Sequence, residues 1–147
     1  DFITSQDSDL SMRLLNAGFV LARTPATHVR MVKRSTLGKW WKMGHRYGFW
    51  RMKILRKYPK RTSLREFLPW FGALSTFTLF ALQSPYAGVL PACYLTVLSL
   101  EGLRGALMSK RFSLVLGIPV CLFMLHSSFS VGLLDGLVRK GRAPKDR

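Results

Sequence analysis

Two carboxylates, Asp7 and Asp9, stand where a short helix is predicted to begin. Backbone amides at a helix N-terminus stabilise negative charge, so a carboxylate there stays ionised near neutral pH. An ionised carboxylate in such a position can act as a general base. It can equally serve the helix itself, with Asp9 as the N-cap and an Asp9–Arg13 ion pair one turn later. These residues alone leave both interpretations open.

The remaining reactive side chains do not form a recognisable constellation. His45 and His126 are isolated, and no His/Cys cluster has the spacing of a metal site. We expect His126, inside an apolar run, to make a hydrogen bond between packed helices. Cys93 and Cys121 also lie in apolar runs, which argues against a disulfide scaffold. Two glycine pairs at four-residue spacing allow close contact between helices: Gly44 with Gly48, and Gly132 with Gly136.

The charge of the chain is unevenly distributed. The 147 residues include 23 Lys and Arg against 7 Asp and Glu, a net charge of +16, yet 48% of the residues are hydrophobic. Most basic residues precede residue 66, and residues 66–138 contain only Arg104, Lys110 and Arg111. The apolar content excludes disorder, and a nucleic-acid module would leave the second half unexplained. The pattern is typical of a membrane protein with a basic cytoplasmic shoulder.

The first 35 residues predict short elements. Apolar residues at helical spacing predict a helix from Leu10 to about Ala17, with Gly18 as its C-cap. A short strand is predicted over Phe19–Ala22, and Pro25 prevents it from continuing. A weaker strand is predicted over Val29–Val32.

A longer helix is predicted over Thr36–Tyr58. Aromatic and apolar residues recur at three- and four-residue spacing beside a basic stripe, which suits a helix lying at an anionic lipid surface. A soluble amphipathic helix is the alternative. The apolar stripe comprises Trp40, Met43, Tyr47, Trp50, Ile54 and Tyr58, and the basic stripe Lys39, Lys42, Arg46, Lys53 and Lys57.

Three uncharged apolar stretches follow: Phe67–Gln83, Tyr86–Leu100 and Phe112–Leu134. A bilayer-spanning helix needs about 20 residues, so we expect two to three transmembrane helices. The positive-inside rule places the basic block before Phe67 in the cytoplasm. It does not decide on which side of the membrane the basic tail, residues 139–147, lies. Either one stretch is re-entrant or interfacial or the tail is an exception to the positive-inside rule, and Pro119 and Ser127–Ser130 make the third stretch the one most expected to be irregular.

Asp7 and Asp9 belong to a longer sequence motif. Asp7-Ser8-Asp9-Leu10, Arg13-Leu14 and Ala17-Gly18-Phe19, followed by Pro25, resemble a stretch of family 2 glycosyltransferases with a GT-A fold. The resemblance continues at Arg34-Ser35-x-Leu37 and Arg46-Tyr47-Gly48, and looks most like the membrane-associated branch that builds bacterial exopolysaccharides of the succinoglycan type. Together with the charge and hydropathy pattern, it predicts a mainly α chain: the C-terminal remnant of an α/β GT-A domain (1–35), a basic interfacial helix and linker (36–65), a transmembrane helical region (66–138) and a basic tail (139–147).

The resemblance also implies an activity. The family performs an inverting transfer of a sugar from a nucleotide-sugar donor to a lipid-linked or polysaccharide acceptor. The chain would then be a multi-pass protein of the bacterial inner membrane, with its catalytic part at the cytoplasmic face and anionic lipid as a partner. Asp7 matches the catalytic base and Asp9 the second acidic position. Arg46 could pair with phosphate and Tyr47 could stack on a sugar.

Some positions depart from the family pattern. Gln6 replaces the usual Glu, Met43 the usual Gln, and Met31 stands where a His is common. The donor-binding half and its metal-binding Asp-x-Asp would precede Asp1, so we expect a C-terminal fragment that is inactive alone. A divalent metal (Mg or Mn) is expected for the full-length enzyme, with its main ligands absent from this chain. The alternative is a non-catalytic, small, basic polytopic membrane protein, such as a transport or assembly subunit.

Overall fold

The computed structural model describes residues 6–28, 30, 35–61 and 63–139. Within these ranges the chain is helical and contains no strand, which confirms a mainly α fold but not the α/β remnant. The described residues form five α-helices and two short 3-10 turns, Pro59–Arg61 and Leu64–Phe67. The α-helices are α1 (Gln6–Asn16), α2 (Leu37–Lys57), α3 (Leu68–Ala81), α4 (Val89–Ser109) and α5 (Leu114–Val138).

Helix α1 contains the two carboxylates inside its first turn. It begins at Gln6, so the prediction that Asp9 is the N-cap is wrong, although both acids still face the positive end of the helix. The predicted C-terminus is confirmed. Gly18 adopts a φ of +85°, and the amides of Gly18 and Phe19 donate to the carbonyls of Leu15 and Leu14. This is a Schellman motif, in which glycine takes the left-handed position.

The strand predicted over Phe19–Ala22 does not form. These residues have no regular secondary structure and are exposed. A strand needs a neighbouring strand to pair its backbone groups, and the described part of the chain offers none. Of the second predicted strand, Val29–Val32, only Arg30 lies among the described residues.

The predicted long helix is confirmed to within one residue at each end. Thr36 caps α2, since its hydroxyl accepts a hydrogen bond from the Lys39 amide at 3.3 Å. At the other end the Tyr58 amide donates to the carbonyl of Ile54. The basic residues of the predicted stripe therefore all lie on one continuous helix.

Helices α2 and α5 pack in parallel at very close range. Gly44 faces Ser128, Gly48 faces the backbone of Phe129, and Gly132 faces the backbone of His45. Gly136 in turn lies against Phe49 and Met52. None of these glycines has space for a Cβ, so the predicted close contact of the two glycine pairs is confirmed. Phe49, Ile54 and Leu133 are fully buried in the described chain.

Helices α4 and α5 form an antiparallel hairpin. Gly102 lies against the carbonyl of Val115 and the ring of Pro119, again without space for a Cβ. Further along, the hydroxyl of Tyr94 lies 2.8 Å from Nδ1 of His126, which confirms the predicted packing hydrogen bond. Pro119 does not break α5. The helix continues through it, and the ring packs against α4.

Among the described residues, α5 is the helix that is long and apolar enough to cross a membrane. Helix α3 has only 14 residues, about 21 Å at 1.5 Å per residue, and α4 carries Glu101 and Arg104. The expected two to three transmembrane helices are therefore not confirmed.

Candidate functional site

An open cleft of about 560 Å³ lies where α1, α2 and α5 meet. It brings together three of the four predicted site residues, although about 40 positions separate the first from the others along the chain. It is lined by Asp7, Ser8, Arg46, Tyr47, Arg51, Glu66 and Phe129. A second open cleft of about 620 Å³ is lined by Phe80, Ala81, Gln83, Ser84 and Ala87 and contains no titratable side chain.

Arg51 and Glu66 form a bidentate ion pair at the edge of the first cleft. Nε of Arg51 donates to Oε2 of Glu66 at 2.7 Å, and Nη2 donates to Oε1. These hydrogen bonds raise the pKa of Arg51 above its usual value. The pair ties the 3-10 turn before α3 to the middle of α2, and it neutralises one of the two arginines in the cleft.

Arg46 is the other cation of the cleft, and it is not neutralised in the same way. Its Nε atom is buried and has no hydrogen-bond acceptor within the described residues. A buried guanidinium donor without an acceptor is costly, typically about 1–3 kcal/mol or more for a charged group. The Asp7 carboxylate makes no ion pair in the described part of the chain. A carboxylate and a cation thus line one cleft without being paired to each other.

Asp9, the fourth predicted site residue, lies outside the lining of the cleft. Its Oδ1 accepts hydrogen bonds of 2.8 Å from both Lys57 Nζ and Tyr58 Oη, and Oδ2 lies 3.6 Å from Arg13. The hydrogen bond from Lys57, followed by that from Tyr58, lowers the pKa of Asp9 below its usual value. Asp9 therefore ties α1 to the C-terminal end of α2, and its role in substrate binding stays a prediction.

No sequence pattern predicted the other half of the cleft. Arg51, Glu66 and Phe129 come from three separate elements, and no local pattern links them. His45 was predicted to be isolated, but Nε2 of His45 lies 3.3 Å from Oδ2 of Asp135 in α5. The sequence offered one signal for this half of the cleft: Arg51, a second cation five positions after Arg46 on the same helix.

Basic residues of α2 cover the C-terminal end of α5. Arg56 donates to the carbonyls of Gly136 and Leu137, and Lys53 donates to that of Arg139. Such cations satisfy the last carbonyl groups of a helix and suit its negative end. The C-terminal end of α5 therefore carries basic side chains from α2 together with one carboxylate, Asp135, which forms an ion pair with Arg139.

The described residues do not fit a divalent-metal site. They contain no group of three His, Cys, Asp or Glu side chains that could hold a metal ion. In the cleft, Glu66 is engaged by Arg51, which leaves Asp7 as the one lining carboxylate without an ion pair.

The chain is similar to one curated protein along almost its whole length. It is 29% identical over 139 residues to the dolichyl N-acetyl-alpha-D-glucosaminyl phosphate 3-beta-D-2,3-diacetamido-2,3-dideoxy-beta-D-glucuronosyltransferase of Methanococcus voltae. This relative is a glycosyltransferase. The match covers 95% of the chain but 41% of the relative, so the chain spans about two fifths of that protein.

The other comparisons gave no match: no family model matches the chain, and no solved structure matches it. The similarity supports a glycosyltransferase in general terms. It does not extend to family 2 or to the succinoglycan type, since the relative is archaeal and is named for a dolichyl-linked substrate.

Proposed function

We propose that this chain is the membrane-associated part of an inverting glycosyltransferase that transfers a sugar from a nucleotide-sugar donor to a lipid-linked acceptor. The observation that carries the proposal is the cleft in which Asp7 of α1 lies with Arg46 and Tyr47 of α2. The similarity to a glycosyltransferase supports it. Membership of family 2, a GT-A catalytic domain and a role in exopolysaccharide or cell-envelope glycan synthesis belong to the same proposal.

In this mechanism Asp7 is the general base. Its carboxylate takes the proton of an acceptor hydroxyl while the oxygen attacks the anomeric carbon of the donor sugar. The new carbon–oxygen bond forms as the bond to the nucleoside diphosphate breaks, and a single displacement inverts the configuration at that carbon. The diphosphate leaves with the electron pair of the broken bond.

Arg46 and Tyr47 of α2 both line the cleft and support this step. The guanidinium of Arg46 offers a planar set of donors to phosphate oxygens, and the Tyr47 ring, which is 44% exposed, offers a face on which a sugar can stack. A divalent metal, Mg or Mn, would be held by residues outside this chain, so no step here is routed through it.

We place the protein in a membrane, with the cleft at its cytoplasmic face. Helix α5 has the length and composition of a spanning helix, and two basic residues of α2, Arg56 and Lys53, donate hydrogen bonds to the carbonyl groups at its C-terminal end. Positive residues favour the cytoplasmic side, where they also attract anionic lipid. A multi-pass topology and residence in a bacterial inner membrane are part of this proposal. Interfacial contact by α2 is the alternative placement, in which α5, packed parallel to α2 from Cys121 to Leu137, lies at the membrane surface with it.

The test uses the longer protein that contains this chain. Asp7→Asn should lower the transfer rate by a factor of about 100 or more, the usual effect of losing a general base. Glu101→Gln, which removes an exposed carboxylate far from the cleft, is the matched control and should leave the rate unchanged. Undiminished transfer by Asp7→Asn would reject the base assignment. Absence of transfer by the unmodified protein with all nucleotide sugars would favour the non-catalytic transport or assembly subunit.

A further inference from the structure

We propose that the outer face of α4, the side turned away from α5, is an interface for a second copy of this chain. Two reciprocal ion pairs hold it, each between Glu101 of one copy and Arg104 of the other. The inference does not depend on the proposed function. It rests on the pattern of exposed residues along α4, on the charge pair within that pattern and on the ability of that pair to complement itself.

Helix α4 has one covered face and one uncovered face. On the inner face Leu98, Gly102 and Ala106 are buried, and Gly102 lies against the backbone of α5. On the outer face, exposed side chains recur at alternating spacings of three and four residues, the pattern by which one helix packs against another. We call these residues the outer stripe: Leu90, Cys93, Val97, Leu100, Arg104 and Leu107. Within the described part of the chain, no helix covers the outer stripe.

The charge of α4 is concentrated at the outer stripe. Arg104 belongs to the stripe and Glu101 lies one turn earlier, and no other residue of this helix is charged. Nη1 of Arg104 lies 3.5 Å from Oε1 of Glu101, and the two side chains remain 69% and 50% exposed. Both groups therefore keep surface for a further contact.

Neither lipid nor water suits this mixed face. In hydrocarbon the guanidinium and the carboxylate would lose their hydration, and charged groups inside a membrane are almost always surrounded by protein or water. In water the leucines and the valine of the outer stripe would stay exposed, against the hydrophobic effect. A partner that brings apolar side chains and both signs of charge satisfies both requirements.

A second copy of the chain is such a partner. In an assembly with two-fold symmetry the same face meets itself, so each contact occurs twice. Because Glu101 and Arg104 are one turn apart, Glu101 of either copy can face Arg104 of the other, and two opposite-charge pairs form. One charged position in an otherwise apolar stripe also fixes the register of the two helices, since a shift along them would place the charge against apolar side chains.

The interface is separate from the site of the proposed function. No residue of α4 lines either of the two clefts. Loss of the dimer should therefore leave transfer unchanged, and Glu101→Gln remains a suitable control for the base assignment.

Copurification of two differently tagged copies tests the interface. Both copies of the longer protein that contains this chain are produced in the same cells, and one is captured by its tag from mild detergent. We expect the other copy to be recovered well above the level seen when the copies are produced separately and mixed after solubilisation. Recovery at the level of that mixture would overturn the proposal.

Charge reversal locates the contact. Glu101→Arg in both copies places like charges opposite each other, and so does Arg104→Glu in both, so either change should lower recovery by about tenfold or more. A copy with Glu101→Arg and a copy with Arg104→Glu form two opposite-charge pairs again and should be recovered together at the unmodified level. Lys39→Glu, which reverses an exposed charge on α2, is the control and should keep full recovery. An equal loss from Lys39→Glu, or failure of the mixed pair to associate, would overturn the assignment.

The double variant Glu101→Arg/Arg104→Glu keeps the ion pair within each chain, so it provides the test if the single variants do not fold. Two copies of this variant should associate with each other as the unmodified copies do. One such copy should not associate with an unmodified copy, because each charged residue would then meet a like charge. Association of the double variant with the unmodified chain, or loss of its association with itself, would overturn the ion-pair interface.

Discussion

Gly48 of α2 lies directly on the backbone of Phe129 in α5, with no space for a side chain between the two helices. Gly48 follows Tyr47 in the chain, and both Tyr47 and Phe129 line the cleft. The contact that joins the helices therefore also sets the distance across the cleft. Helix α5 is therefore part of the framework of the site, and a substitution that separates α2 from α5 should also alter the cleft.

The first prediction concerns this helix pair. Gly132→Ala should lower the free energy of unfolding by about 1–3 kcal/mol, because the added methyl would collide with the carbonyl of His45 and force the helices apart. Gly117→Ala is the matched control, since nothing lies within 4 Å of the added methyl on the same helix. That change should instead raise stability by about 0.5–1 kcal/mol through better helix propensity. Denaturant titrations in detergent measure both, and equal effects would contradict the packing.

The second prediction concerns the tie between α1 and α2. Hydrogen bonds from Lys57 and Tyr58 lower the folded-state pKa of Asp9, so the contact contributes stability above the unfolded pKa of about 3.9 and loses it as pH falls through the lower folded value. Hydrogen exchange of the α1 amides should therefore accelerate as pH is lowered below about 4, after correction for the intrinsic exchange rate. Asp9→Asn should remove this pH dependence, whereas Asp7→Asn should keep it. A pH response that survives in Asp9→Asn would assign it to another group.

The third prediction uses the two halves of one ion pair. Glu66→Gln frees the charge of Arg51 beside the cleft, so the affinity for inorganic pyrophosphate should rise several-fold at low salt. Arg51→Gln leaves the Glu66 carboxylate without its cation and should lower that affinity. Isothermal titration of the chain in micelles measures both, with Glu101→Gln as the control for removal of a remote carboxylate. Changes in the same direction would show that the pair acts only through stability.

The helices followed from the sequence where the signal was local. Each of these signals lies within one turn or one helix: the Thr36 cap, the glycine at position 18 and the uncharged apolar stretches. The strand at Phe19–Ala22 failed because strand formation depends on a partner segment, which no local pattern can supply. The end of α3 and the continuity of α5 through Pro119 likewise depend on what packs beside them.

About half of the residues that line the candidate site could be predicted from the sequence. Asp7, Arg46 and Tyr47 emerged from a family resemblance, and the structure places them at one cleft. The four-residue spacing of Gly44 and Gly48 predicted a close helix contact, but that spacing does not identify which helix lies opposite them. Small residues give no hydrophobic signal, although they decide how closely helices approach. Without that contact, Phe129 could not be placed beside Tyr47.

The last prediction concerns the membrane. Phe123 and Leu134 are both exposed on α5, at 55% and 49%, but Phe123 lies near the middle of the helix and Leu134 near its basic end. If α5 crosses the hydrocarbon, a lysine at the centre costs about 2.5–3.5 kcal/mol, while one near the end extends its amine to the headgroups. Phe123→Lys should therefore reduce the fraction of chain that resists extraction by alkaline carbonate. Leu134→Lys should behave like the unmodified chain, which should also resist high salt and dissolve in detergent. Equal extraction of the two lysine variants, or release of the unmodified chain by salt alone, would place α5 outside the bilayer core.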